Sequence, residues 1–137
     1  MPAYASLIFD IIHPISFNRY YPMKIAMKQE TILIIDDELS VRESLSCFFQ
    51  DEGYSVFTAE NGEIGLELFS RERVDIVLTD LKMPRKDGIE VMTAIREPSP
   101  DTPMVVVSGA GREEDIIKAL RMAHGGQGLY HQTHPRP

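Results

Sequence analysis

Between residues 31 and 120, short apolar runs alternate with helical stripes. Thr31-Ile32-Leu33-Ile34-Ile35 is apolar at nearly every position and ends in Asp36-Asp37. A continuous run of that length predicts a strand buried on both faces. Glu38–Asp51 then places Val41, Leu45, Phe48 and Phe49 at i, i+4, i+7 and i+8, one stripe of a helix that Gly53 closes. Tyr54–Ala59, with Val56 and Phe57, reads as a strand, and Asn61-Gly62 as a turn. Glu63–Arg73 carries Ile64, Leu66, Leu68 and Phe69 and predicts a second helix. Val74–Asp80 is a second buried run ending in an acid, followed by a loop through Pro84 to Gly88. Ile89–Glu97 is a third helix, with Val91, Met92 and Ile95 apolar, stopped by Pro98 and Pro100. Met104–Val107 is a buried strand leading to Ser108-Gly109-Ala110-Gly111. A fourth helix, Arg112–Ala123, turns Ile116, Ile117 and Leu120 inward and has Glu113, Glu114 and Asp115 in its first turn, where the dipole favours acids.

This alternation predicts an α/β fold: a doubly wound parallel sheet with right-handed crossovers and helices on both faces. Ligand sites in such folds lie at the carboxyl ends of the strands. Asp36, Asp37, Asp80 and Ser108 all fall there. Like charges gathered at one edge repel each other and desolvate poorly, so a cation among them is the natural complement. A hard divalent ion with oxygen ligands suits carboxylates, and Mg²⁺ is the usual companion of phosphoryl groups. Taken singly, either acid-ending run reads equally well as a solvated loop or a helix cap.

The ends of the chain read differently. Residues 1–26 mix apolar, aromatic and polar positions with no sustained period, and His13-Pro14 and Tyr21-Pro22 interrupt them. Residues 1–27 are expected to be a disordered extension, with Met27 the favoured start of the domain. Asp10 and His13 break any secretory h-region. At 137 residues the chain allows one domain. A net charge of −7 argues against direct nucleic-acid binding. No apolar run is long enough to span a bilayer. The lone Cys47 fits a reducing compartment, and the four histidines show no metal-binding spacing.

Asp36-Asp37-Glu38, Asp80 with Met83-Pro84 and Asp87-Gly88, and Ser108-Gly109 stand in the order and spacing of a known family. Residues 28–123 resemble the receiver domain of bacterial two-component response regulators. The resemblance implies a flavodoxin-like sheet of order 2-1-3-4-5. It implies phosphorelay signal transduction, with Asp80 the phosphoacceptor and Mg²⁺ the cofactor. Asp37 and Asp80 would bind the ion directly, Asp36 through water, and the Lys82 backbone carbonyl would add a ligand. Ser108 would be the hydroxyl that senses the phosphoryl group, while Lys82 and Ala110 would tune its hydrolysis. A sensor histidine kinase or phosphotransfer protein would be the donor. The domain would be cytoplasmic, with no membrane or nucleic-acid contact, and would not be an enzyme. A phosphatase of the haloacid dehalogenase type, which also uses a nucleophilic Asp, wants Asp-x-Asp where this chain has adjacent Asp36-Asp37.

The resemblance stops after Ala123. The family continues with a fifth strand bearing a switch lysine before a proline, then a fifth helix. Residues 124–137 contain no lysine and show neither a strand pattern nor a helix period. The fifth strand and fifth helix are therefore expected to be missing or non-native. Back-translation from His124, shifted by one nucleotide, permits Met-Gly-Ala-Arg-Asp-Tyr-Ile-Thr-Lys-Pro-Ile-Gln-Asp, an ordinary receiver ending. Arg121–Gly125 can be encoded by CGCATGG in tandem followed by GG, so a short duplication that shifted the frame would account for the tail. The strand at Met104–Val107 should then be an unpaired sheet edge, and the first helix should lose part of its cover. The alternatives to a working receiver are an inactive frameshift product and a protein-binding module that does not switch.

Overall fold

The computed structural model describes Ala5, Ser6, residues 8–10, Ile12, residues 29–108 and the backbone of residues 131–133. Within them the elements are β1 (Thr31–Ile35), α1 (Leu39–Asp51), β2 (Ser55–Ala59), α2 (Gly62–Arg71), β3 (Ile76–Asp80), α3 (Gly88–Arg96), β4 (Met104–Ser108) and β5 (His131–Thr133). The sheet is parallel, with strand order β2-β1-β3-β4-β5. Between β1 and β4 the elements fall where periodicity places them, to within a few residues at each end. The predicted helix over Arg112–Ala123 lies outside the described residues.

The period-2 alternation of side chains along a strand divides the core into two layers. Ile32 and Ile34, Ile76 and Leu78, and Val105 and Val107 point to the α1 face. Leu33 and Ile35, Val77, and Met104 and Val106 point to the opposite face, against Val91, Met92 and Ile95 of α3. Both faces of the three inner strands are buried, which is why their sequences are continuous apolar runs. The chain leaves α1 through Gly53, whose φ of +96° is a left-handed conformation that side-chain-bearing residues resist. Tyr54 N–H then donates back to the Phe49 carbonyl at 3.0 Å. The Phe49 and Tyr54 rings meet edge to face at 5.8 Å.

Two expectations about the ends of the chain need correction. Residues 1–27 were expected to be disordered; of these, residues 13–27 lie outside the described residues, but Ala5, Ile8 and Ile12 are helical and fully buried against the α1 face of the sheet. The missed signal is their spacing of i, i+3 and i+7, with Phe9 at i+4, too short a stripe to stand out beside His13-Pro14. A fifth strand was expected to be missing or non-native, and a three-residue β5 with no hydrophobic pattern fits that expectation; the edge of β4 was expected to be unpaired, and this is what needs correction. Instead β5 pairs with β4 in parallel, His131 opposite Val106, Gln132 opposite Val107 and Thr133 opposite Ser108. An edge of free N–H and C=O groups accepts a strand of any composition, so three residues without a hydrophobic pattern suffice there. The absence of lysine from residues 124–137 stands.

A carboxylate cluster at the carboxyl end of the sheet

β1 and β3 are neighbours and run the same way, so both end on the same edge of the sheet. Each has exhausted its apolar residues where it meets an acid. Asp36 follows β1 and is 6% exposed; Asp37 beside it is exposed; Asp80 is the last residue of β3 and is half-buried. One carboxylate oxygen from each lies within 4.8 Å of the others. The three acids singled out as ligands thus converge, although Asp80 is distant in sequence from the other two.

Local geometry holds Asp36 and Asp80 in place. Asp36 N–H donates to the Ala59 carbonyl at 3.1 Å, tying the turn to β2. Its Oδ1 accepts from Glu38 N–H at 2.9 Å, a local turn that also serves the start of α1, whose own N-cap residue Glu38 makes no side-chain cap. The Arg42 guanidinium donates to the Asp36 backbone carbonyl at 2.8 Å. Asp80 Oδ1 accepts a long 3.4 Å contact from Lys82 N–H, and the Thr79 hydroxyl donates to the Asp80 carbonyl at 3.0 Å. Arg42 and Thr79 went unnoticed in the sequence because a lone Arg on a helix and a lone Thr in a strand carry no pattern.

The loop after Asp80 is braced from α2 and α3. Asp87 caps α3 by accepting from Glu90 N–H at 2.9 Å, and Gly88 N–H donates to the Leu81 carbonyl at 2.9 Å. A Cβ on Gly88 would run into the Asp80 carbonyl and come within 2.9 Å of Leu81 Cα. The Asp87-Gly88 pair therefore has two distinct jobs: a cap, and a bare backbone that lets the helix start press against the end of β3. Arg85 in the same loop has φ of +69°, and its guanidinium meets Glu63 of α2 at 3.3 Å.

Burial is the main cause of the site's electrostatics. Desolvation raises Asp36 to about 6, opposed by the Glu38 N–H and reinforced by the Asp37 charge. Asp80 is pushed up to about 7, first by burial and then by the Asp36 charge, against the Lys82 N–H. The cluster costs free energy when fully ionised and gains from a divalent cation, whose preference for several hard oxygen ligands the three carboxylates match. The Lys82 carbonyl belongs to the adjoining loop. Ser108 ends β4, one position beyond Val107, which pairs with Asp80. Its backbone therefore stands beside the end of β3. Ala110 lies outside the described residues.

The sequence profile of the response regulator receiver domain matches residues 32–127. The chain is 35% identical over 94 residues to transcriptional regulatory protein GlrR of Escherichia coli (strain K12), a match covering 69% of this chain and 21% of that protein. It is 37% identical over 92 residues to sporulation initiation phosphotransferase F of Bacillus subtilis (strain 168), covering 67% of this chain and 73% of that one. Among solved structures it is similar to response regulator protein TrrA of Thermotoga maritima, in complex with Mg²⁺ and BeF. That similarity has a TM-score of 0.66 and 30% identity, over 78% of this chain and 88% of that chain. Chemotaxis protein CheY4 of Vibrio cholerae superposes with a TM-score of 0.69 at 27% identity, over 80% of this chain and 90% of that chain. The chain spans only 21% of the length of GlrR, so it matches one part of that protein.

Proposed function

Because this chain belongs to the response regulator receiver domain family, whose role is phosphorelay signal transduction, we propose that Asp80 is its phosphoacceptor and that the acid cluster holds Mg²⁺. The observation that carries this reading is the convergence of Asp36, Asp37 and Asp80 within 4.8 Å at the carboxyl end of the sheet. Asp80 is the acid that the strand itself aims, and the loop back to Gly88 fixes its backbone. Its carboxylate attacks phosphorus, and the bond from phosphorus to the donor atom breaks, leaving an acyl phosphate on Asp80. Asp37 and Asp80 would hold the cation directly and Asp36 through water, with the Lys82 carbonyl as a further ligand. The cation supplies charge neutralisation as one anion approaches another.

Asp37, the exposed member, is the natural direct ligand; Asp36, mostly engaged with Glu38 N–H, suits a water-mediated contact. Ser108, at the end of β4, is the hydroxyl that answers to the phosphoryl group. The donor is a sensor histidine kinase or a phosphotransfer protein carrying phosphohistidine. The domain is a phosphoryl acceptor rather than an enzyme turning over a small substrate. Its charge of −7 makes its own surface a poor partner for nucleic acid. Among the described residues no helix is long and apolar enough to cross a membrane, in keeping with a cytoplasmic domain.

Acetyl phosphate with Mg²⁺, read by intact mass, tests the reading. One phosphoryl adduct should form, vanish with chelator and be lost in Asp80→Asn. An adduct of equal yield in Asp80→Asn would refute the assignment.

A second reading is favoured by one observation: residues 124–137 contain no lysine to pair with the phosphoryl group. Acceptance of phosphate would then persist while its transmission to the surface fails. Hydrogen exchange with and without beryllofluoride separates the two. Protection changes confined to the loops after β1 and β3 support the uncoupled module; changes reaching β4 and β5 support a switch.

A further inference from the structure

Ala5, Ile8 and Ile12 each have 0% exposure, although residues 29–108 form the sheet they rest on. With Phe9 they make one helical stripe, and Ser6 and Asp10 on the other side are exposed. They share a buried cluster with Leu45 and Phe49 of α1 and with Ile34, Leu78 and Val107 of three different strands. The Phe9 ring meets Phe48 edge-on at 6.1 Å and Tyr54 at 6.4 Å.

Width shows why something must lie there. A helix with its side chains is about 10–12 Å across. Neighbouring strands are about 4.8 Å apart, so a five-stranded sheet is roughly 19 Å wide. One helix covers little more than half of that face. Among the described residues, α1 is the only complete helix packed on it, and the apolar side chains of β3 and β4 need a second cover.

We propose that Ala5, Ile8, Phe9 and Ile12 belong to an integral element of this domain, a helical plug from the same chain that completes the α1 face of the core. The occupant is this chain's own segment: Ile12 and Gln29 are separated by 17 residue steps, which reach roughly 56 Å when extended. That is ample for the segment to fold back onto its own sheet. The plug's recognition is apolar and shape-based, with an Ala at its first position and branched or aromatic residues after it. A domain beginning at Met27 would lack this cover. The proposal stands on packing alone and does not depend on the role of Asp80.

The test uses the full chain. Ile8→Asp and Ile12→Asp put a charge into the dry face, while Ser6→Asp puts the same charge on the exposed side. Thermal unfolding followed by circular dichroism should show a loss of about 10 °C or more, or outright failure to fold, for the first two. Ser6→Asp should unfold within about 2 °C of the parent. Hydrogen exchange should show α1 losing protection first in any folded Ile8→Asp or Ile12→Asp protein. Unchanged unfolding of Ile8→Asp and Ile12→Asp, or an equal loss in Ser6→Asp, overturns the proposal. A parent chain that sizes as a dimer and becomes a monomer in Ile8→Asp would place the plug on a second copy and overturn the in-chain assignment.

Discussion

At the scale of single residues, the site works by placing charge where water is scarce. Asp80 is held up to about 7 by burial and by Asp36, so a proton would compete with the proposed cation for the same carboxylate. Lowering the pH from 8 to 6 should weaken Mg²⁺ binding several-fold, because ligation requires the ionised form. Titration of Mg²⁺ by calorimetry at the two pH values checks this, and a pH-independent affinity would contradict it. Gly88 makes a sharper prediction. Gly88→Ala pushes a methyl group into the Asp80 carbonyl and against Leu81 Cα, so either the loop or α3 must shift. A cost of about 1–3 kcal/mol in stability is expected, of the size overpacking usually brings. Phosphorylation should also slow by tenfold or more, because the proposed acceptor, Asp80, is displaced. Urea unfolding and the rate of adduct formation measure the two effects separately. The acids themselves were legible in the sequence because a strand that ends in an acid has an unusual pattern. Arg42 and Thr79 were not, since their partners are backbone carbonyls that any sequence supplies.

At the scale of elements, α2 and α3 are fixed at their starts by side chains that read as turns. Asn61-Gly62 looks like a turn signal, and Asn61 is in fact the N-cap of α2, with its Oδ1 accepting from Ile64 N–H at 2.9 Å. Turn and cap place similar demands on the backbone, so sequence alone does not separate them. Asn61 is 6% exposed, which makes its bond one that water replaces poorly. Asn61→Ala should cost about 1–2 kcal/mol in urea unfolding, while Asn61→Asp should retain most of the stability. Equal losses in both would show that the cap is not what matters. β1, β3 and β4 were legible because both of their faces are buried. β5 was not, because its place is determined by the open edge of β4 rather than by its own residues. The N-terminal helical residues were missed for a related reason: four apolar positions are a weak signal until the face that receives them is known.

At the scale of the whole molecule, acids govern how stability depends on pH. Asp36, Asp80 and Glu30 all have raised values, and Glu30, at the opposite end of the sheet, is lifted to about 7 by burial and by Asp75. An acid whose value is higher in the folded chain than in the unfolded one favours folding at low pH. That contribution is complete below about 4 and is lost as pH rises through about 7. The metal-free chain should therefore be more stable near pH 5 than near pH 8. Saturating Mg²⁺ should remove the part due to Asp36 and Asp80 and leave the part due to Glu30. Glu30→Gln isolates that remainder. It should stabilise the chain at pH 8 by about 1 kcal/mol, reduced from the full linkage value by solvent screening, and have little effect at pH 4. Unfolding curves of parent and variant at the two pH values decide it, and an equal difference at both would contradict the burial of Glu30. Nothing in the sequence distinguishes Glu30 from exposed acids such as Asp37; only the packed sheet does.

The most direct test of Asp80 as phosphoacceptor is chemical trapping. After acetyl phosphate and Mg²⁺, borohydride reduces an aspartyl phosphate to homoserine, and peptide mapping by mass spectrometry locates it. The account predicts homoserine at Asp80 alone. Homoserine at Asp36 or Asp37, or none anywhere in a folded, Mg²⁺-loaded chain, would contradict it.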